Sequence, residues 1–122
     1  MKGFIAPASG STVARSSKTI TARFRLTAST TGEPTGAPFQ ENLAATHDLR
    51  VTQSGPGIKA VTVNCGWNAS QQDLTCVIRI PSGVRIGSSQ RYTLTATENV
   101  GTGFLTIPIV HGTVNPEVIH FR

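Results

Sequence analysis

The chain is poor in the groups that do chemistry. Of its 122 residues, 6 are acidic, 3 are histidine and 2 are cysteine, with a single Met, Trp and Tyr. The six carboxylates, Glu33, Glu41, Asp48, Asp73, Glu98 and Glu117, fall where turns or strand ends are expected, and no spacing nominates an acid/base pair. His47, His111 and His120 sit on three separate expected strands or their ends, so no shared metal site is predicted. G-x-S-x-G, Walker, H-E-x-x-H, dinucleotide and calcium-loop motifs, each of which needs fixed spacing, are missing from the sequence. The expectation is therefore a non-enzyme with no catalytic, cofactor-binding or metal residues. Long apolar runs are lacking too. Residues 1–7 hold one Lys and few apolar side chains, which is short of a signal peptide or a membrane span, so no membrane insertion is expected.

What is present favours strands and turns. Twelve Gly and seven Pro are spread through a chain rich in Thr, Ser and Val, and long helices are not expected. Residues 1–122 suit one domain, large enough to bury about two-thirds of the surface exposed by its unfolded form. The net charge is +5 and the sequence pI near 10.0, with Arg outnumbering Lys. Such a balance favours acidic partners, whether nucleic acid, anionic glycan or membrane surface, and it also serves plain solubility.

Residues 59–80 organise the rest. Val61, Val63, Cys65 and Trp67 alternate with polar residues, and so do Leu74, Cys76, Ile78 and Ile80, which is the pattern of two half-buried strands. If residues 68–73 turn the chain with Ser70 and Gln71 at the tip, Cys65 falls opposite Cys76, within bonding range of a neighbouring strand. A Cys65–Cys76 disulfide is predicted, stabilising the fold by about 3 kcal/mol in the chain-entropy model. Paired cysteines in a small β-rich chain point to an oxidising, extracellular setting. The same hairpin tip carries Asn68-Ala69-Ser70, a glycosylation triplet common by chance.

Other strands follow from alternation. Ile20, Ala22, Phe24 and Leu26 face inward with Thr19, Thr21, Arg23 and Arg25 outward; Leu49 and Val51 lie inward on another strand, and Tyr92, Leu94 and Ala96 on a third. Phe4 and Ile5 before Pro7 suggest an edge strand, and residues 12–14 a brief one. Residues 28–46 read as a long loop anchored by Phe39, Leu43 and Ala44. Val84 and Ile86 read as apolar plugs between strands, a second hairpin joins residues 91–98 to the apolar run 104–110, and residues 117–122 close as an edge strand.

The phrases Gly3-Phe4-Ile5-Ala6-Pro7 and Thr19-Ile20-Thr21-Ala22-Arg23-Phe24-Arg25-Leu26 resemble the opening of bacterial immunoglobulin-like modules of the PxKF type. The family's Pro and Lys fall on Thr21 and Arg23, so the Pro is missing while the charge and the following Phe24-Arg25-Leu26 remain. Arg91-Tyr92-Thr93-Leu94-Thr95-Ala96 is similar to the sixth strand of many such modules, in which a Tyr supports the neighbouring corner. The resemblance implies an all-β, immunoglobulin-like β-sandwich of seven to eight antiparallel strands in a large bacterial surface or secreted protein. A cysteine pair without a visible signal peptide suggests a piece of a longer exported protein with Met1 added for expression, and a monomer is expected. Its partners would be neighbouring domains of the parent chain, and its role that of a structural or adhesion unit. Two alternatives accompany that expectation. Arg23, Arg25 and Arg79 share the outward phase of strands that neighbour each other in such a sandwich, a candidate surface for a glycan or another polyanion. Lacking aromatic platforms, they do not suggest specific nucleic-acid reading. The other alternative is an accessory domain of a secreted hydrolase.

Overall fold

The structure is a computed structural model and describes residues 4–7, 10–26, 36–87, 89–99, 101–106, 109–110 and 116–122. In chain order its strands are β1 (Thr12–Val13), β2 (Thr19–Leu26), β3 (Leu49–Ser54), β4 (Val61–Asn64), β5 (Gly66–Asn68), β6 (Asp73–Arg79), β7 (Tyr92–Asn99), β8 (Phe104–Thr106), β9 (Ile109–Val110) and β10 (Glu117–Phe121), with helix α1 (Ala37–Ala45) between β2 and β3. They form two sheets. One runs β1-β10-β7-β3-β4 with β8 also on β7, and the other runs β5-β6-β2-β9. The inward residues of both sheets make a single core, which includes Phe4, Phe24, Leu74, Ile78, Leu49, Leu94, Ile119 and Phe121. The protein is thus all-β, with two sheets closed on one apolar interior.

The alternation of β2, β3 and β7 produces the expected faces, with Ile20, Ala22, Phe24 and Leu26, then Leu49 and Val51, then Tyr92, Leu94 and Ala96 all buried. Gly3, residues 28–35 of the expected loop, Glu33, His111 and residues 112–115 lie outside the described residues.

Several expectations need correction. The first arm of the cysteine hairpin is not one strand: β4 pairs with β3, whereas β5 pairs with β6 in the other sheet. The chain changes sheets at Cys65, whose amide still donates to the Leu49 carbonyl of the first sheet (3.0 Å). Alternation marks which face is inward, and inward is the same direction for two facing sheets, so the crossing leaves no trace in the pattern. Pairing is not purely antiparallel, because β1 lies parallel to β10, and β10 is consequently flanked on both sides instead of forming an edge. Within the apolar run 104–110, β8 pairs with β7 but β9 pairs with β2 across the sandwich.

The second half of the supposed 28–46 loop is α1. Pro38 sits in its first turn, where a missing amide costs nothing, and residues 40–45 contain good helix formers. The helix docks through Gln40, Leu43 and Ala44, the i, i+3, i+4 face, and the Gln40 side chain accepts a bond from the Leu26 amide (3.2 Å). Phe39 points away from that face and is 53% exposed, so it is no anchor. Likewise Val84 is buried, whereas Ile86 is exposed, joined to Phe121 by a parallel backbone bridge.

Candidate functional site

β2 and β6 are neighbours, with Thr19 opposite Arg79 and Arg23 opposite Thr75. Arg79 and Arg23 are therefore four residues apart along the sheet, about 13 Å at the usual strand rise, and Arg25 is farther still. The three arginines do not form one patch. Arg23 Nε donates to Oδ2 of the fully buried Asp73 (2.7 Å), Nη2 reaches the same oxygen, and Nη2 also donates to Gln71 Oε1 (3.1 Å). Arg25 donates from Nε to the Gln72 carbonyl (2.8 Å) and from Nη2 to the Gln71 carbonyl (3.2 Å). Both guanidinium groups are thus engaged by the turn that joins β5 to β6. In that turn Asn68 Oδ1 accepts from Ser70 Oγ and the Gln71 amide.

Register across this turn aligns Asn68 with Asp73 and Trp67 with Leu74, and carries Cys65 opposite Cys76. The two cysteines are bonded to each other with their Cα atoms 4.4 Å apart. Because Cys65 is the crossing point between sheets, the bridge ties that crossing to a central strand of the second sheet.

Arg79 belongs to a different neighbourhood. At the other end of β2 and β6, a cleft of about 700 Å³ opens between the 3-10 turn Arg15–Ser17 and the segment that follows β6. Arg15, Lys18 and Arg79 line it together with Ser16, Thr19 and Ser82, and Ile80, Pro81 and Val84 supply apolar wall. The two walls are joined directly: Arg15 Nη1 donates to the Val84 carbonyl (3.2 Å) and the Ile80 amide to the Lys18 carbonyl (2.9 Å). Lys18 holds a left-handed backbone, φ 65°, a conformation that costs a side-chain-bearing residue on the order of 1 kcal/mol relative to Gly. Arg15, Lys18 and Arg79 are all exposed, and among the described residues none of the three has a carboxylate partner.

The loops beside this cleft are also basic. Tyr92 lies at the same end, its ring against Gly55 and its hydroxyl accepting from the Arg85 amide (2.8 Å), so Arg85 and Arg91 are brought to this end; Gly57 and Ile58 run beside Gly83, where a side chain would meet them, which brings the adjacent Lys59 to this end as well. None of the described acidic residues lines the cleft: Glu41 lies on α1 and Glu117 begins β10. Asp73 begins β6, and Asp48 and Glu98 meet where Leu49 pairs with Glu98. Asp48 accepts from Asn99 Nδ2 (3.2 Å) and from Thr46 Oγ1, and Glu98 is pushed above the usual carboxylate range by partial burial first and by the charge of Asp48 second. The sequence nominated no carboxylate pair, and this one arises from strand pairing.

His47 is exposed and His120 Nδ1 lies 2.8 Å from the Gln90 carbonyl, on a different sheet region. No group of three potential metal ligands occurs among the described residues, and none of the described helices is long and apolar enough to cross a membrane. Arg15 and Lys18 escaped sequence reasoning because one sits in a small polar loop and the other at a strand start. The available signal was their spacing of three just before Thr19, the residue that pairs with Arg79.

Comparison with family models, with characterised proteins and with solved structures finds no match to this chain.

Proposed function

We propose that the chain is an immunoglobulin-like module of a larger bacterial surface or secreted protein, serving outside the cell as a spacer or adhesion unit and not as a catalyst. The observation that carries this reading is the pairing order, β5-β6-β2 facing β10-β7-β3-β4. Immunoglobulin sandwiches pair their second strand with the fifth in one sheet and their third with the sixth in the other, and β2–β6 and β3–β7 follow that order when β4, beside β3, is counted as the added strand of variable-type domains. Tyr92 supports it independently: it stands at the start of β7 and its hydroxyl is bonded to the backbone seven residues upstream, the geometry of the tyrosine corner. The Cys65–Cys76 bridge favours an oxidising compartment. Antibody domains differ, since their cysteines join two sheets through the second and sixth strands.

Recovery of the protein from its host tests the reading. It should be found at the cell surface or in the medium, with no thiol that alkylates before reduction and two that alkylate after it. Recovery from the cytosol with both thiols free would overturn the extracellular assignment. Turnover of a polymer or small-molecule substrate by the purified chain, abolished by changing one of its own polar residues, would overturn the non-catalytic one.

A further inference from the structure

We propose that the cleft between Arg15, Lys18 and Arg79 binds a sulfated or carboxylated glycan chain. This goes beyond the module reading, which would stand as a spacer if the cleft bound nothing.

What sets these cations apart is their shortage of acceptors. At the opposite end of the sandwich Arg23 and Arg25 are held by Asp73, Gln71 and Gln72. In the cleft, the only side-chain hydrogen bond described for the three cations runs from Arg15 to Val84, which leaves most of its guanidinium donors and those of Arg79 and Lys18 facing solvent. Like charges gathered round one concavity repel each other and concentrate positive potential there, and a bound anion relieves both effects. Cations scattered singly over a surface would not produce this; the cleft gathers residues from 15 to 84, joined by a bond across 69 positions of sequence.

The lining selects among anions. A volume of about 700 Å³ suits a ligand of a few sugar rings and exceeds what a lone inorganic ion requires. Guanidinium groups pair with sulfate and carboxylate in a fork, the ammonium of Lys18 acts as a point charge, and the hydroxyls of Ser16, Thr19 and Ser82 match ring hydroxyls. Ile80, Pro81 and Val84 offer an apolar wall for a ring face. Among the described residues no aromatic side chain lines the cleft, which offers no stacking platform of the kind single-stranded nucleic acid uses.

Heparin oligosaccharide is the probe, titrated calorimetrically against the whole 122-residue chain at several salt concentrations. The double variant Lys18→Gly/Arg79→Gln should bind at least tenfold more weakly at low salt and lower the log–log salt slope by about two. Glycine at position 18 relieves the left-handed backbone, so this variant should remain folded and weaker binding cannot be laid to unfolding; a melting curve checks it. Arg50→Gln, at the other end of β3, should leave binding unchanged. No binding by the wild-type chain, or equal binding by the double variant, overturns the proposal. Equal affinity for duplex DNA or for phosphatidylserine vesicles, lost in the same double variant, overturns the glycan assignment in favour of those polyanions.

Discussion

The two ends of the sandwich use the same residue type differently. At the end of the β5–β6 turn, Arg23 and Arg25 are tied to a buried carboxylate and to turn carbonyls, and Arg50 lies over the Phe104 ring (4.0 Å to the centroid) with Nε near Asn64 Oδ1. At the cleft end Arg15, Lys18 and Arg79 face a concavity that has no carboxylate among the described residues, and order comes instead from the packed ring of Tyr92 against Gly55 and Phe121. An arginine on the outward phase of a strand is therefore no guide to a binding surface. What decides is whether the neighbouring loop offers it an acceptor.

The turn end should be the more fragile to loss of single groups. Reducing the Cys65–Cys76 bridge, or replacing both cysteines by Ser, should cost about 3 kcal/mol in urea unfolding, since the closed ring restricts the unfolded chain. No change in midpoint would mean that the sheet crossing holds without its cross-link. Asp73→Ala should cost about 2–3 kcal/mol, because it removes the carboxylate partner of Arg23, leaving that side chain only Gln71, and the acceptor of Thr75 Oγ1. A loss below about 0.5 kcal/mol would show that solvent satisfies Arg23 as well as Asp73 does, and would free that arginine for ligands.

The register of the cysteine hairpin was legible because a turn length and two alternations determine it together. Its division between sheets was not, since residues such as Val63 and Trp67 keep the same inward phase on either side of the crossing. Helix α1 was hidden by Gly36 and Pro38, which mark a helix start as readily as a turn. Of the site, Arg79 was legible as an exposed strand residue, but its company was not. Exposure is a local property, whereas the approach of Arg15 to Val84 depends on how two loops close over the ends of β2 and β6.

The cleft end is expected to respond more mildly. Tyr92→Phe keeps the ring packed on Gly55 and Phe121 and removes the acceptor for the Arg85 amide, so it should cost about 1–1.5 kcal/mol. If the two ends are independent, the Asp73→Ala and Tyr92→Phe losses should add within about 0.5 kcal/mol. A larger coupling energy would show that strain at the turn is felt at the cleft.

The smallest effect should come from the acidic corner at the turn end. Burial and the nearby charge of Asp48 raise the Glu98 carboxyl above its ordinary value, so the folded chain holds this proton to a higher pH than the unfolded chain does. Between the unfolded value near 4.5 and the raised folded value, folding takes up protons and stability from this group falls as pH rises. Above that window the charged form carries a constant penalty, and below it the penalty vanishes. Glu98→Gln should therefore raise the melting temperature slightly at pH 7 and lose that advantage by pH 4. A gain that persists unchanged at pH 4 would assign the effect to packing and not to charge. Repeating the comparison in Asp48→Asn should shrink the gain without abolishing it, because burial is the larger cause and the carboxylate of Asp48 the smaller.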